Sequence, residues 1–498
     1  MLFSSPLFVF QFLPLVLLAY YGLDRRFRNA VLLVASLIFY AWGEVVMVWL
    51  MALSCLANWG FGAWVDHARH GGRPKLVLAL AVAFNIGLLV LFKYADWIWL
   101  SVSETLVALH AIGKPLPAPA TLFDGHSTLR TALVTAEGRI RLPIGISFFT
   151  FQALSYVVDV WRGDGKVQKN PANFALYVVL FPQLIAGPIV RYKDVDEQIA
   201  ERRTTLQGFA YGVRRFVLGL AKKMLVANAA AELADGVFNS AEPISTAAAW
   251  LGTLAYTIQI YFDFSGYSDM AIGLGHMFGF KFLENFDHPY VARSVTEFWR
   301  RWHMSLSTWF RDYLYIPLGG NRVSQGRTYF NLVLVFVLCG LWHGASFSFL
   351  VWGLYHGAFL VLERVGLGAW IGRRPRWIQH VYLLLVVMVG WVFFRAEGLS
   401  RAFSVLGAMC GGGAPGELHP LGLLVDPRIA AALVAGVIGS MPWLPALRAR
   451  HEQRWRASST LGATIWEAGG LLAIVALFLW SALELAGGSY NPFIYFRF

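Results

Sequence analysis

Residues 330–362 read FNLVLVFVLCGLWHGASFSFLVWGLYHGAFLVL, 33 residues without one Asp, Glu, Lys or Arg. As a single α-helix rising 1.5 Å per residue, the stretch would be a rod of about 50 Å, against a hydrocarbon core of about 30 Å. The run therefore predicts two pieces at membrane depth, with Gly340, Gly344 and Ser346 marking where the backbone breaks. His343 falls at that break. Irregular backbone at membrane depth is tolerated only where it faces protein or a water-filled cavity, and an ionisable side chain there is a candidate for function. The competing reading is a histidine bonded to a neighbouring carbonyl as helix-packing glue. His356 shares the run but has no break signal around it, so it is the weaker candidate. Cys339, four residues before His343, admits a thiol nucleophile with a histidine base, although buried cysteines are more often inert packing residues.

Composition agrees with a membrane setting along the whole chain. Of 498 residues, 57% are hydrophobic and 14% charged, with 20 Trp, 19 Tyr and 38 Phe. A soluble domain carries about 25% charged residues, so this chain lacks the polar surface to cover itself in water. The formal net charge is +12. Its basic residues lie in short clusters between apolar runs, the pattern of cytoplasmic loops beside an anionic leaflet rather than of a nucleic-acid partner. Cys55, Cys339 and Cys410 are far apart and match no zinc, haem or disulfide spacing, so no metal site is expected.

Apolar runs at about 6–22, 29–50, 51–65, 76–100, 143–161, 174–188, 209–230, 247–275, 330–362, 380–394, 429–441 and 466–485 predict an all-α polytopic membrane protein with about ten to twelve crossings plus re-entrant segments. The first run has no basic region before it and no small-residue cleavage site after it, so it is expected to remain as a spanning helix. An uncharged Met1–Ser5 and basic loops at 24–28 and 67–75 place the N-terminus outside and both loops in the cytoplasm. The Pro-rich insert at 101–141, loop-like and poor in basic residues, then falls outside. Residues 181–188 are interrupted by Pro182 and Pro188 and followed by Arg191 and Lys193, so they read as a segment that dips in and returns. The resulting division is an N-terminal helical part (1–100), an extracytoplasmic loop (101–141), a core (142–365) and a C-terminal helical part (366–498).

Two further stretches carry polar chemistry. In 294–322, Ser294 and Glu297 have the form of a capping box opening a helix expected to run to Pro317. Trp299, His303, Leu306 and Phe310 then share one face, and Arg301, Ser305, Thr308 and Asp312 the other. The element reads either as an interfacial helix with an aromatic belt or as the wall of a polar tunnel. Six arginines against two acids between Arg293 and Arg327 suit a phosphate-bearing ligand or, alternatively, anchoring to the leaflet. In the apolar run 247–275, Asp263 and Asp269 are six apart and do not face one another on a continuous helix, and Ser265-Gly266 between them predicts that the helix opens there. These groups either bond helices together or orient a histidine and line the acceptor path.

Leu142-Pro143-Ile144-Gly145-Ile146-Ser147-Phe148, the 181–191 and 261–275 stretches, Glu297-Phe298-Trp299-Arg300-Arg301-Trp302-His303, 311–322 and Gly340-Leu341-Trp342-His343-Gly344 together resemble the membrane-bound O-acyltransferase family, in its bacterial branch that acetylates exopolysaccharides such as alginate. The resemblance covers most of the chain from Arg141 to Glu363. It implies a bundle of transmembrane and re-entrant helices around a central tunnel, with His343 catalytic and His303 a second polar residue of the site. It implies acetyl-CoA as the cytoplasmic donor, with no bound cofactor. The acetyl group would then pass to a separate extracytoplasmic SGNH-like acetyltransferase working with the polysaccharide secretion machinery in the bacterial inner membrane.

The chemistry such a site needs is present. Moving acetyl from a thioester to a hydroxyl requires a base, which neutral imidazole supplies, and donors for the developing oxyanion, for which Trp342, Asn331 and His303 are candidates. Arg300, Arg301, Arg311 and Arg322 are the candidate holders of donor phosphates. Asp263, Ser265, Asp269 and Trp299 are candidate supporting or tunnel-lining residues. Acceptors other than alginate, namely peptidoglycan, cellulose or D-alanylated teichoic acid, stay open, as does a transporter that moves a substrate without covalent change, although no inverted repeat favours the latter.

Overall fold

Long apolar segments low in charge and punctuated by glycine have one way to satisfy their backbone in lipid, and the computed structural model is helical accordingly. It describes residues 1–112, 114–123, 125, 127–414, 425–443, 446–447, 450, 460–488 and 490–492. Among the described residues five helices are long and apolar enough to cross a membrane: Met47–Ala68, Pro74–Ala108, Phe347–Gly372, Arg376–Arg395 and Thr464–Ala486. Phe8–Gly22 and Pro427–Gly439 are shorter apolar helices. The residues form two compact units, one of Met1, Pro14–Arg203 and Trp342–Ser346, the other of Leu2–Leu13, Thr204–Leu341 and the described residues from Phe347 onward.

The first unit contains α1 (Arg28–Ala41), α2 (Met47–Ala68), α3 (Pro74–Ala108), α4 (Ile146–Arg162), α5 (Pro171–Val179) and α6 (Phe181–Leu184). Asn58 on α2 and Asn85 on α3 exchange amide hydrogen bonds of 3.1 and 2.7 Å, both side chains fully buried. That reciprocal pair leaves each amide a donor and an acceptor partner, which makes it polar glue in an apolar setting. On the other face of α2, Gly62 meets α4 so closely that a β-carbon there would lie 2.2 Å from the Tyr156 ring. The helix α3 continues to Ala108, past the expected end at Leu100, because no Gly or Pro interrupts 101–108. The later part of the insert, expected to be a loop, also carries the 3₁₀ turn Pro119–Phe123 and the short helix Ser127–Leu133. At nine and four residues, or about 14 and 6 Å, α5 and α6 are each far shorter than a crossing.

In the second unit α7 (Leu206–Ala221) lies against α8 (Thr246–Met277) along paired glycines. A β-carbon at Gly212 would sit 2.5 Å from the Gly273 carbonyl oxygen, and one at Gly219 would sit 2.4 Å from that of Gly266. Reciprocally, one at Gly266 would lie 2.8 Å from the Gly219 oxygen. The expected opening at Ser265-Gly266 does not occur: α8 is continuous for 32 residues, about 48 Å. Gly266 serves close approach between helices, not a break. Beyond them come α9 (Val295–Arg301), α10 (Met304–Phe310), α11 (Gln325–His343), α12 (Phe347–Leu362) and α13 (Arg376–Arg395). The hairpin of α11 and α12 is drawn tight by glycine as well. β-Carbons at Gly340 and Gly353 would fall 2.2 and 2.3 Å from the carbonyl oxygens of Phe349 and Phe336.

Candidate active site

The expected break in the 330–362 run is present. Helix α11 ends at His343, Gly344-Ala345-Ser346 is non-helical, and α12 starts at Phe347. His343 is buried, its ring edge-on to Trp342 at 4.9 Å between centroids. Trp342 in turn packs on Phe148 at 5.3 Å and Phe151 at 5.6 Å, both from α4. A helix end leaves its last carbonyls without intrahelical donors. Here Lys93 of α3 supplies them: its ammonium donates to the Trp342 carbonyl, to the His343 carbonyl at 3.3 Å and to Ser147 Oγ at 3.1 Å. The sequence reading did not single out Lys93, although a lone lysine inside an apolar run was the signal available.

His303 is built differently from its expectation. The helix predicted through 294–317 is interrupted: α9 ends at Arg301, Trp302 is extended, and His303 adopts the left-handed conformation with φ of 43° before α10 begins. A non-glycine residue there carries about 1 kcal/mol of backbone strain, which the surroundings must hold. Asn285 does so. Its backbone carbonyl accepts from Met304 N–H at 3.0 Å, and its Oδ1 accepts from Ser305 N–H at 3.2 Å and Ser305 Oγ at 2.9 Å. The Ser305 N–H can only donate, which fixes the amide so that Oδ1 is the atom 3.1 Å from His303 Nδ1 and Nδ2 donates to Ser268 Oγ at 3.0 Å. Because that oxygen only accepts, His303 carries its proton on Nδ1, and Nε2 has the lone pair. The ring is 1% exposed and lies edge-on to Phe264 at 4.6 Å. Burial pushes its pKa down to about 3, keeping it neutral.

The break also separates Trp299 from His303, which the continuous helix had placed on one face. Trp299 joins instead an aromatic cluster around His356, 5.0 Å from its ring and 5.6 Å from Trp352. His356 is fully buried on an unbroken α12, and Gly390 makes room for it: a β-carbon there would lie 2.5 Å from His356 Nε2. The Ser294 cap is as read, accepting from Glu297 N–H at 3.0 Å, whereas the Glu297 carboxylate reaches Arg293 N–H, one residue before the cap.

The acidic patch on α8 is occupied by ion pairs. Asp263 is buried beside Lys223 at 3.1 Å, and Asp269 binds Lys222 and Arg215 at 2.7 Å each. Ser265 is buried on the same helix. Asn331 uses its amide donor on the Leu318 carbonyl at 3.1 Å. Of the four arginines, Arg301 bridges Glu297 and Asp287, Arg311 pairs with Asp312, and Arg300 and Arg322 are exposed.

A buried histidine at a helix break, a second one locked in a single tautomer, and an all-helical apolar scaffold suit acyl transfer within a membrane. The model of the membrane-bound O-acyltransferase family matches residues 166–396. Over its full length and that of the relative, the chain is 43% identical to a Pseudomonas putida protein described as probable alginate O-acetylase AlgI. It is also 35% identical to the Helicobacter pylori peptidoglycan O-acetyltransferase, over 82% of this chain and 80% of the relative. A Bacillus subtilis teichoic acid D-alanyltransferase is 31% identical over 44% of this chain and 58% of its own. The chain therefore belongs to the membrane-bound O-acyltransferase family, and it is an acyltransferase.

Proposed function

We propose that this protein takes acetyl from cytoplasmic acetyl-CoA and passes it across the inner membrane for O-acetylation of an exopolysaccharide, alginate, with an extracytoplasmic SGNH-like transferase completing the transfer. The polymer assignment rests on the full-length identity to the relative named for alginate, against lower identity and partial coverage for those named for peptidoglycan and teichoic acid. About ten to twelve crossings around a central tunnel, with the N-terminus outside, belong to the same proposal.

His343 is the general base in this reading. A neutral imidazole removes the proton of the accepting hydroxyl as its oxygen attacks the thioester carbonyl. The tetrahedral oxyanion collapses, the C–S bond breaks, and the imidazolium returns the proton to the leaving thiolate. His303, with its lone pair on Nε2, is the second polar residue of this reading. Arg300 and Arg322, exposed like Arg311 but in no ion pair among the described residues, hold donor phosphates. The supporting observation is the placement of His343, buried, at the break between α11 and α12. His343→Ala should lower the ester content of secreted polymer by about 10²-fold or more at matched membrane levels. Near-normal acetylation would overturn the assignment.

A further inference from the structure

A lysine in a membrane-crossing helix needs a reason. Lys93 sits on α3 within the π-helical turn Val90–Tyr94, a distortion that frequently accompanies function. Its contacts are three acceptors: the Trp342 carbonyl, the His343 carbonyl and Ser147 Oγ. That number matters. An ammonium has three N–H donors and no acceptor and can serve all three at once, whereas a neutral amine would do so only by accepting from the Ser147 hydroxyl. The Trp342 and His343 carbonyls are also the last of α11, the negative end of its dipole, where a cation is favoured. The ammonium lies 5.9 Å from the Trp342 ring centroid, which adds attraction from the ring face.

We infer that Lys93 is a positioning residue for acyl transfer: as an ammonium it caps the C-terminus of α11, fixing the backbone from which the His343 ring projects. The inference rests on the reading of His343 as the base. Three residues of irregular chain follow that histidine, and without a cap its backbone would be free to extend the helix or unwind it. Either change rotates the imidazole. A displacement of about 1 Å at a reacting group can cost on the order of 10²-fold in rate. Ser147, at the start of α4, ties the same ammonium to the helix whose Phe148 and Phe151 hold Trp342, so a single charge aligns α3 and α4 with Trp342 and His343, all residues of the first unit.

The test uses membranes carrying the full chain, with acetyl-CoA as the probe and thiol release as the readout, alongside His343→Ala. Lys93→Met removes every donor at similar length and should lower apparent kcat by about 10- to 100-fold, with apparent KM for acetyl-CoA within twofold and an unchanged melting temperature in detergent. Lys93→Arg keeps charge and donors and should restore much of the loss. Full turnover in Lys93→Met, while His343→Ala is inactive, overturns the positioning role alone. Equal loss in both lysine variants, or a loss tracking a lowered melting temperature, likewise overturns it in favour of bulk packing. An active His343→Ala removes the base reading, and the positioning role falls with it.

Discussion

Asn285 holds His303 in the left-handed turn between α9 and α10. One amide accepts from Ser305, braces the left-handed turn, and selects the tautomer of the imidazole through Nδ1. Asn285→Ala should therefore lower polymer acetylation by about tenfold or more at matched membrane levels, because the ring loses both its orientation and its preference for a proton on Nδ1. Asn285→Asp keeps an acceptor at Oδ1 while losing the donor to Ser268, and should retain more activity than the alanine variant. Among the described residues, the exposed Arg300 and Arg322 lack the carboxylate pairs that engage Arg301 and Arg311. Arg300→Gln and Arg322→Gln should raise the apparent KM for acetyl-CoA, with a penalty that shrinks as salt screens the wild-type contact. Unaltered donor dependence in both would mark the cluster as a lipid anchor.

At the scale of elements, packing is decided by the absence of side chains. Gly353→Leu in the α11/α12 hairpin pushes a β-carbon toward a carbonyl oxygen 2.3 Å away and should destabilise the protein by about 1–3 kcal/mol, read as a lowered melting temperature in detergent. Gly236→Ala, on the helix Asn228–Phe238 with open space around it, should be neutral or stabilising by up to about 1 kcal/mol. The same elements show what a sequence can reveal. The break after His343 was legible because 33 uninterrupted apolar residues exceed a membrane's thickness, an argument needing nothing beyond the segment itself. The break at His303 was hidden, since its helical periodicity runs on and the residue that holds the turn lies 18 positions upstream. Asp263 and Asp269 suggested an opening in α8, yet the cations that pair them come from α7 and the turn after it, so the helix keeps its ladder intact. Local composition reports on the segment, and long-range partners do not register in it.

For the whole molecule, the proposed reaction requires a donor on one face and an acceptor on the other. The proposed topology puts Lys75 and Glu197 in the cytoplasm and the 101–141 insert outside, with Asp124 as its reporter, a residue outside the described ones. Single cysteines at these positions, in a background lacking Cys55, Cys339 and Cys410, can be challenged with a membrane-impermeant reagent. Labelling at Asp124 and protection at Lys75 and Glu197 are expected. External labelling at Glu197 would show that the short α5 and α6 together carry the chain across.

The glycine seam between α7 and α8 has a consequence for how this chain can evolve. Every single-base change that alters a glycine codon's amino acid installs a β-carbon, and at Gly212, Gly219, Gly266 and Gly273 each such carbon would come within 2.8 Å of a backbone oxygen. These positions thus have no permissible neighbour in mutational space, although none has a side chain with which to do chemistry. A saturation scan of this protein would return them as intolerant as His343. Intolerance alone would then misdirect a search for the catalytic centre toward a seam whose only requirement is emptiness.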